Sequence, residues 1–335
     1  MAYWQLMNGD TSRDYSDICF NFGVACVGPG WQGNFIEFKN DYYPEDLPKV
    51  EPFTRMQEND LIILKNGQFT ILGVGKIEKY NNSIYNYSNV FEDIDGWDLQ
   101  HFVKVKWKKI KFDFDERLLT RTTTSAINHP DVIKKIDEIW SDNCITFIEP
   151  IYEIKELQNA NFEYSMLSEH LFNAGYKIEL AEDISNTIRR IELLGKWYKS
   201  QTNWNEISEH ENRTHLVVPF LISLGYSPQQ IAIEKNHIDI LVYENSKRNK
   251  IRFLVETKRF NTGTLYALKQ AIEYTTSLQE LNDLVLTDGL RYSLYSKVNN
   301  IWDLKAYMNF ENKKCKYNHI PTKLGMIDYI LNLIK

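Results

Sequence analysis

The sequence predicts an α+β protein with a β-rich N-terminal part, a mixed and then helical connector, and a C-terminal domain that combines helices with a sheet. Three observations lead to this prediction. Short apolar stretches punctuated by Gly and Asn-Gly fill residues 1–112, and apolar residues recur at helical spacing within 161–200. From about residue 206 the pattern changes to helix, three strands, helix and strand.

Length and composition indicate two or three globular domains. The chain has 335 residues, of which 43% are hydrophobic and 25% charged, and its formal net charge is −6. These values exclude a disordered chain and a protein that coats nucleic acid through bulk positive charge. They are compatible with a local basic groove, because the field in a cleft is set by nearby charges.

The N-terminus and the cysteines indicate a cytoplasmic protein without a membrane partner. The first residues, MAYWQLMNGD, lack the basic and apolar regions of a secretory signal. No apolar run approaches the ~20 residues that cross a bilayer. The cysteines form no CxxC pair, so we expect neither a disulfide framework nor a zinc site; they are Cys19, Cys26, Cys144 and Cys315.

The β-rich part is predicted from strand-length apolar stretches and one turn signal. Asn66-Gly67 separates ENDLIILK from QFTILGVGKI, and this dipeptide favours the backbone of a tight hairpin turn. The predicted strands cover residues 24–27, 60–65, 69–77 and 102–112.

The connector, 113–205, is mixed at first and then helical. We expect a helix near 130–141 and a longer helical region after it. The polar segment SQTNWNE, 200–206, is the best domain boundary. The last domain, 206–335, ends in a helix.

The segment HIDILVYENSKRNKIRFLVETKRF, residues 237–260, carries the sharpest chemical signal. Two predicted strands, 238–243 and 251–258, flank a polar turn that contains Lys247 and Arg248. The alternate positions of both strands are apolar, which suits a hairpin with one face on the core.

The predicted hairpin brings two carboxylates and a lysine to one end. A turn centred near Lys247-Arg248 sets Asp239 opposite Glu256, and the strand period of two places Lys258 beside Glu256. Opposed carboxylates destabilise a sheet, so this arrangement usually needs a cation between them.

A hard divalent cation such as Mg²⁺ or Mn²⁺ suits these residues, because it binds through one or two carboxylates, several waters and a substrate phosphate. A lysine beside it can hold the attacking water or help to deprotonate it. Such a set carries out metal-dependent hydrolysis of a phosphodiester bond. The same residues are also compatible with a surface hairpin that has a solvated E-x-K pair.

The flanking segments add two further pairs. Upstream, Glu209 and Arg213 lie four residues apart on the polar side of an amphipathic helix. Downstream, Gln270 and Tyr274 have the same spacing in a helix predicted over 265–278. The strand DLVLTDG follows.

The order of these motifs resembles that of the PD-(D/E)XK nucleases. The resemblance covers about 206–296 and is strongest to the N-terminal nuclease domain of type I restriction enzyme R subunits. It implies an αβββαβ, restriction-endonuclease-like domain. It also implies that Asp239 and Glu256 are metal ligands, that Lys258 orients or activates the water, and that Glu209 is an outer ligand through water.

Other positions match the family only in part. Gln270 and Tyr274 match the Q-x-x-x-Y motif of the RecB-like branch, which implies a place near the substrate backbone and the lysine. Ile238 replaces the Pro of the family name, and Asp288 stands where that branch often has Asn. Neither difference removes a catalytic group.

The N-terminal hairpin loosely resembles the PUA-like barrels, which include the EVE and SRA-type readers of modified bases. The resemblance implies a small barrel over 1–112 that holds a flipped base between aromatic walls. The alternative is that these aromatic side chains fill the core. The candidate ligand-binding residues are Trp4, Asp10, Asp14, Tyr15, Trp31 and Trp97.

The stretch KVKWKKIKF, residues 104–112, is rich in lysine. Lys104, Lys106 and Lys108 share one face of a predicted strand and suit contacts with DNA phosphates. An edge strand kept soluble by lysines would have the same pattern.

These observations predict a Mg²⁺- or Mn²⁺-dependent deoxyribonuclease of a prokaryotic restriction or defence system that acts on modified DNA. Two alternatives stay open, a defence nuclease activated by a nucleotide signal and a non-catalytic reader of nucleic acid or modified bases. Because one active site per chain must cut two strands, we expect at least a transient homodimer.

Overall fold

The computed structural model describes residues 1–9, 13–158, 162–201, 207–278 and 281–335. The chain divides into two compact units, Met1–Glu156 and Leu157–Lys335, and each combines helices with one sheet. The α+β class predicted from the sequence is confirmed. None of the helices within the described ranges has both the length and the apolar character of a membrane span.

The first unit is built on a seven-stranded sheet that curls into a half-barrel. Its strands are β1 (Tyr3–Met7), β2 (Val24–Val27), β3 (Leu61–Asn66), β4 (Thr70–Glu78), β5 (Tyr85–Tyr87), β6 (His101–Asp113) and β7 (Thr124–Ala126). They lie in the order β2-β6-β4-β3-β1-β7, and β5 also pairs with β6. The long strand β6 thereby joins three neighbours.

The hairpin predicted at Asn66-Gly67 forms between β3 and β4, which pair antiparallel. Gly67 has φ 64°, a left-handed conformation that glycine adopts without steric cost. Apart from Gly67 and its two chain neighbours, no described residue comes within 4 Å of a Cβ built there, so backbone conformation and not space favours glycine at this position.

The helices of the first unit are α1 (Ser16–Phe22), α2 (Phe35–Phe38), α3 (Leu47–Arg55) and α4 (Pro130–Ser141). The last of these has the bounds expected from the sequence. It is amphipathic, and Val132, Ile136 and Ile139 are buried on one side. These residues pack in one cluster with Ile63 of β3 and Val74 of β4.

The second unit contains most of the helical residues. Its helices are α5 (Tyr164–Asn173), α6 (Ile178–Ser200), α7 (Glu209–Asn212), α8 (Val218–Ser223), α9 (Leu265–Thr275) and α10 (Met326–Leu333). A π-helical turn, Arg213–Val217, joins α7 directly to α8.

Helices α5 and α6, which the sequence analysis assigns to a connector, contribute to the core of the second unit. Leu167, Ile184 and Ile188 are fully buried in one cluster with Phe253 and Val255 of the sheet. The helical period shows that these residues form a buried stripe, but it cannot show which surface covers the stripe.

The sheet of the second unit has six strands in the order β13-β12-β11-β10-β9-β8. They are β8 (Ile231–Lys235), β9 (Ile238–Tyr243), β10 (Ile251–Thr257), β11 (Asp283–Thr287), β12 (Arg291–Val298) and β13 (Ile301–Asn309). Among these described strands, β10 and β11 pair parallel and the other neighbours pair antiparallel, and α9 provides the crossover that a parallel pair needs. The candidate site lies where β9, β10 and α9 meet.

Candidate active site

The register of β9 and β10 brings the two acidic residues together. Val255 pairs with Ile240, and the same antiparallel register continued by one residue sets Glu256 opposite Asp239. A bulge interrupts the pairing only near Ile251, at the other end of the hairpin. The structure therefore has the alignment that a symmetric hairpin predicts from the sequence.

Asp239 is held by contacts on both carboxylate oxygens. Its Oδ2 accepts hydrogen bonds from the backbone N–H (2.7 Å) and the side-chain hydroxyl (2.6 Å) of Thr257. Its Oδ1 accepts a charge-assisted bond of 2.7 Å from Nη2 of Arg213. The carboxylate is therefore fixed in orientation before any ligand arrives.

Glu256 is buried, with only 1% of its surface exposed. Its Oε1 accepts a hydrogen bond of 2.9 Å from Nζ of Lys258, while Oε2 has no hydrogen-bond partner in the described structure. Burial raises the pKa of Glu256 to about 7, and the negative charges of Asp239 and Glu209 add to this effect while Lys258 opposes it. The carboxylate is thus poorly compensated without a further cation.

Lys258 begins a chain of hydrogen bonds that leads to helix α9. Its Nζ donates to Oε1 of Gln270 at 2.8 Å, and Nε2 of Gln270 donates to the hydroxyl of Tyr274 at 2.7 Å. Gln270 and Tyr274 lie one helical turn apart, which is why the second bond can form. The structure thus joins four of the residues singled out in the sequence into one network, from Glu256 to Tyr274.

Glu209 lies at the start of α7 and is half-buried. Ser208 caps this helix, because its hydroxyl accepts the backbone N–H of Glu211 at 3.0 Å. The negative charge of Glu209 acts on Glu256, because it contributes to the raised pKa of the Glu256 carboxyl. Glu209 therefore lies near enough to Glu256 to interact with it electrostatically.

Arg213 is buried, although the sequence pattern predicts only that it lies with Glu209 on the polar side of the helix. Its side chain is only 6% exposed, and it bonds to Glu234 and Asp239 instead of Glu209. It lies in the π-helical turn Arg213–Val217, which changes the angular spacing along the helix. Its position among polar groups agrees with the prediction, but its burial against two acidic side chains was not predicted, because a helical period does not specify what packs on the polar side.

Two further positioning residues were missed by sequence reasoning. Asn212 is fully buried, and its Nδ2 donates to the backbone carbonyl of Lys258 at 2.7 Å. Thr257 lies between Glu256 and Lys258 and fixes Asp239. The sequence signals for these roles are weak. They are a polar residue next to Arg213 and a threonine between Glu256 and Lys258.

Asp288 has a structural role at the end of β11. It is fully buried, and its carboxylate accepts backbone N–H groups of Gly263 (2.8 Å), Leu290 (3.1 Å) and Arg291 (2.7 Å). Arg291 also pairs with it through Nη1 at 3.0 Å. Asp288 therefore shapes the T-D-G turn beside the site.

The donor set fits a hard divalent cation. Within the described residues no group of three or more His, Cys, Asp or Glu side chains forms a ready-made metal site. However, Glu256 has a buried oxygen without a partner, and burial, with a smaller contribution from the negative charges of Asp239 and Glu209, raises its pKa. A cation bound to Glu256 and Asp239 would satisfy both features, and oxygen ligands select Mg²⁺ or Mn²⁺.

In the first unit, three of the predicted ligand-binding aromatics line one cavity of about 380 Å³: Tyr15, Trp31 and Trp97. The rings of Tyr15 and Trp97 are 5.2 Å apart, and the guanidinium of Arg13 lies 4.3 Å from the Trp97 ring. Trp31 is 58% exposed. Asn8, Asp46 and Lys49 add polar groups to the lining.

Trp4 and the two aspartates of the N-terminal prediction lie elsewhere or are not described. Trp4 is buried, and its Nε1 donates to Asp60 at 3.0 Å, so it belongs to the packed sheet. Asp14 is exposed and accepts from Asn8 at 2.8 Å and from the backbone of Ser16. Asp10 lies outside the described residues.

The three lysines of β6 differ in their surroundings. Lys104 donates to the carbonyl of Phe22, and Lys108 is buried and donates to the carbonyls of Trp140 and Asp142 at the end of α4. Lys106 is exposed, with its Nζ 4.4 Å from the ring centre of Phe147. Of the three, Lys106 is the one placed to reach a phosphate.

A scan against protein-family models and a search of curated proteins found no match to this chain.

Proposed function

We propose that this chain is a metal-dependent DNA endonuclease whose active site lies in a restriction-endonuclease-like second unit. The observation that carries the proposal is the convergence of Asp239, Glu256 and Lys258 at one end of the β9–β10 hairpin. A buried carboxylate oxygen without a partner supports a cation at that point. The motif order that resembles the PD-(D/E)XK nucleases supports a phosphodiester as the substrate.

The site residues divide the work of hydrolysis. Asp239 and Glu256 hold the divalent cation, with Glu209 as an outer partner through water. When bound, the cation activates water and neutralises charge on the scissile phosphate. Lys258 orients the attacking water through its Nζ, which Glu256 and Gln270 keep in place. Tyr274 fixes the amide of Gln270, so the lysine stays oriented before substrate binds.

The first unit supports a role in recognition. Its cavity of about 380 Å³ is large enough for a nucleobase, and it is lined by Tyr15, Trp31 and Trp97, of which Trp31 is 58% exposed and suits stacking on a base. We therefore propose a PUA-like module that binds a modified base and directs cleavage. The whole chain then acts as a modification-dependent restriction enzyme of a prokaryotic defence system, with two copies meeting on DNA to cut both strands.

A cleavage panel tests this proposal. Purified full-length protein is incubated with unmodified, methylated and hydroxymethylated DNA, with and without Mg²⁺ or Mn²⁺. We expect metal-dependent cutting of modified DNA only, and its loss in Asp239→Ala, Glu256→Ala and Lys258→Ala. Lys250→Ala, which changes an exposed lysine of the same hairpin, is the matched control and should cut normally.

Other outcomes of the panel would point elsewhere. Full activity of folded Lys258→Ala protein would contradict the proposed site. Cutting only after a nucleotide is added would favour a signal-activated nuclease, and binding without cutting in Mn²⁺ would favour a non-catalytic reader.

A further inference from the structure

Arg213 already supplies a positive charge at the carboxylate that we propose binds the metal. Its Nη2 lies 2.7 Å from Oδ1 of Asp239, and its Nη1 lies 2.8 Å from Oε1 of Glu234. The guanidinium therefore bridges two acidic residues on different strands. A divalent cation and Arg213 would compete for the same oxygen of Asp239.

The helix is irregular at and after Arg213. The arginine begins the π-helical turn Arg213–Val217, and Pro219 follows in α8. Because proline has no backbone N–H, it cannot donate the regular helical bond to the carbonyl of His215. Such π-helical turns are frequent at functional sites.

The two partners of Arg213 differ in exposure. The side chain of Asp239 is 16% exposed, whereas that of Glu234 is 62% exposed. Glu234 and Asp239 line an open cleft of about 430 Å³ with Asn236 and His237. Ions can therefore reach Asp239 from solvent, and Arg213 can keep Glu234 as a partner while it leaves Asp239.

Asp239 does not need Arg213 to keep its orientation. Its Oδ2 is fixed by two bonds from Thr257, of 2.7 and 2.6 Å, and neither involves the arginine. Removing Arg213 therefore frees Oδ1 without releasing the carboxylate. Removing Arg213 also removes a nearby positive charge, which strengthens the attraction of Asp239 for a cation. We expect this gain in affinity to exceed any loss from poorer positioning of the carboxylate.

We propose that Arg213 is the resident cation of the metal-free site, which neutralises Asp239 until a divalent cation displaces it onto Glu234. This inference rests on the proposed function, because it assumes that Asp239 is a metal ligand. It assigns to Arg213 a role in neutralising Asp239 without metal and in setting the affinity for metal.

Metal binding to Arg213 variants tests the inference. Mn²⁺ binding to the full-length protein is measured by isothermal titration and by electron paramagnetic resonance, at one pH. In Arg213→Met we expect the Mn²⁺ Kd to fall about tenfold or more, because the competing charge is gone. Without metal, Arg213→Met should have a lower Tm than the wild type. Saturating Mn²⁺ should raise the Tm of the variant by more than it raises that of the wild type.

Two variants make the test decisive. Arg189→Met changes an exposed arginine on α6 and should leave the Mn²⁺ Kd unchanged. If Arg213→Met does not fold, Arg213→Lys replaces it. A single ammonium cannot bridge both acids as the planar guanidinium does, so Mn²⁺ should again bind more tightly than in the wild type.

The outcomes separate this inference from the function on which it rests. A Kd in the folded Arg213 variant that equals or exceeds that of the wild type overturns the competition. Absence of Mn²⁺ binding in the wild type and in every variant overturns the proposed function as well.

Discussion

At the scale of single residues, the buried carboxylate of Glu256 lowers the stability of the fold, whereas the proposed catalysis requires it. It is 1% exposed, lacks a partner on Oε2, and has a pKa raised from 4.5 to about 7 by burial and neighbouring carboxylates. Because the folded state keeps this proton to a higher pH than the unfolded state, the group stabilises the fold fully below pH 4.5. That contribution is lost as pH rises through about 7.

We therefore predict that Glu256→Gln stabilises the metal-free protein at pH 8 while it abolishes cleavage. The gain should be about 1–3 kcal/mol, because the neutral amide removes the cost of a buried charge. Denaturant unfolding at pH 5 and pH 8 measures it, and the gain should be much smaller at pH 5. Glu244→Gln, on the exposed part of the same hairpin, is the control. Equal or lower stability at pH 8 would contradict this interpretation of the site.

His101 is a second buried titratable residue, in the first unit. Its ring contacts the hydroxyls of Tyr42 and Tyr85, each at 2.8 Å, and the carbonyl of Pro29 at 2.9 Å. Burial lowers the pKa of His101 from 6.5 to about 4. As pH falls, the unfolded state therefore binds the proton at a higher pH than the folded state does. The stability that the neutral ring contributes is present above pH 6.5 and is lost as pH falls to about 4.

The prediction is a pH-dependent transition of the first unit that His101→Gln removes. Between pH 7 and pH 4 the wild type should lose up to about 3 kcal/mol from this group. The measurement is the free energy of unfolding against pH for both proteins. Parallel curves through this interval would show that His101 carries no such linkage.

At the scale of elements, the turn after β11 determines where the lysine of the site lies. Gly289 has φ 92°, and a Cβ built on it would lie 1.9 Å from Oδ1 of Asn212. Asn212 in turn holds the carbonyl of Lys258 at 2.7 Å. The T-D-G turn, the first helix and the end of β10 are thus coupled through one buried amide.

Gly289→Ala should therefore impair both folding and cleavage. We expect a loss of about 2–4 kcal/mol, from backbone strain and the collision with Asn212, and at least about a tenfold fall in cleavage rate. Gly225→Ala is the matched control, because Gly225 has φ 95° but its nearest contact is Lys335 Cβ at 3.5 Å. It should lose only about 1 kcal/mol and keep its activity. Equal effects of the two substitutions would contradict the coupling.

The elements nearest the site were the ones that the sequence could predict. The β9–β10 hairpin and helix α9 depend on local signals, namely strand alternation, a polar turn and a four-residue spacing. The contacts of Arg213 with Glu234 and Asp239 were not predictable, because helical spacing does not specify which strands pack against the polar side of a helix. The contacts of Lys108 with α4 depend on a long-range approach that strand period does not specify.

At the scale of the whole molecule, the sequence predicted the class and the β-rich character of the N-terminal part. It did not predict that α5 and α6 would join the core of the second unit, since a buried stripe does not identify its partner. It also could not separate Trp4, a packed residue, from Trp31 and Trp97, which line the cavity.

The two-module account predicts that the cavity controls binding and not folding. Trp31→Ala should weaken binding of modified DNA about tenfold, because a stacking face is lost, with little change in Tm. Trp197→Ala is the control, since Trp197 has a similar exposure of 55% and lies in the second unit. Binding is measured by fluorescence anisotropy with Ca²⁺ in place of Mg²⁺, to prevent cleavage. Unchanged affinity in Trp31→Ala would contradict recognition by this cavity.

The most direct test of the central claim is the location of Mn²⁺ in a crystal of the wild-type protein, determined by anomalous diffraction. We predict a peak within about 2–2.5 Å of carboxylate oxygens of both Asp239 and Glu256. Lys258 should lie beside it and still contact Gln270. Strong Mn²⁺ peaks elsewhere, with none between these two carboxylates at saturating metal, would contradict the assignment of this hairpin as a nuclease active site.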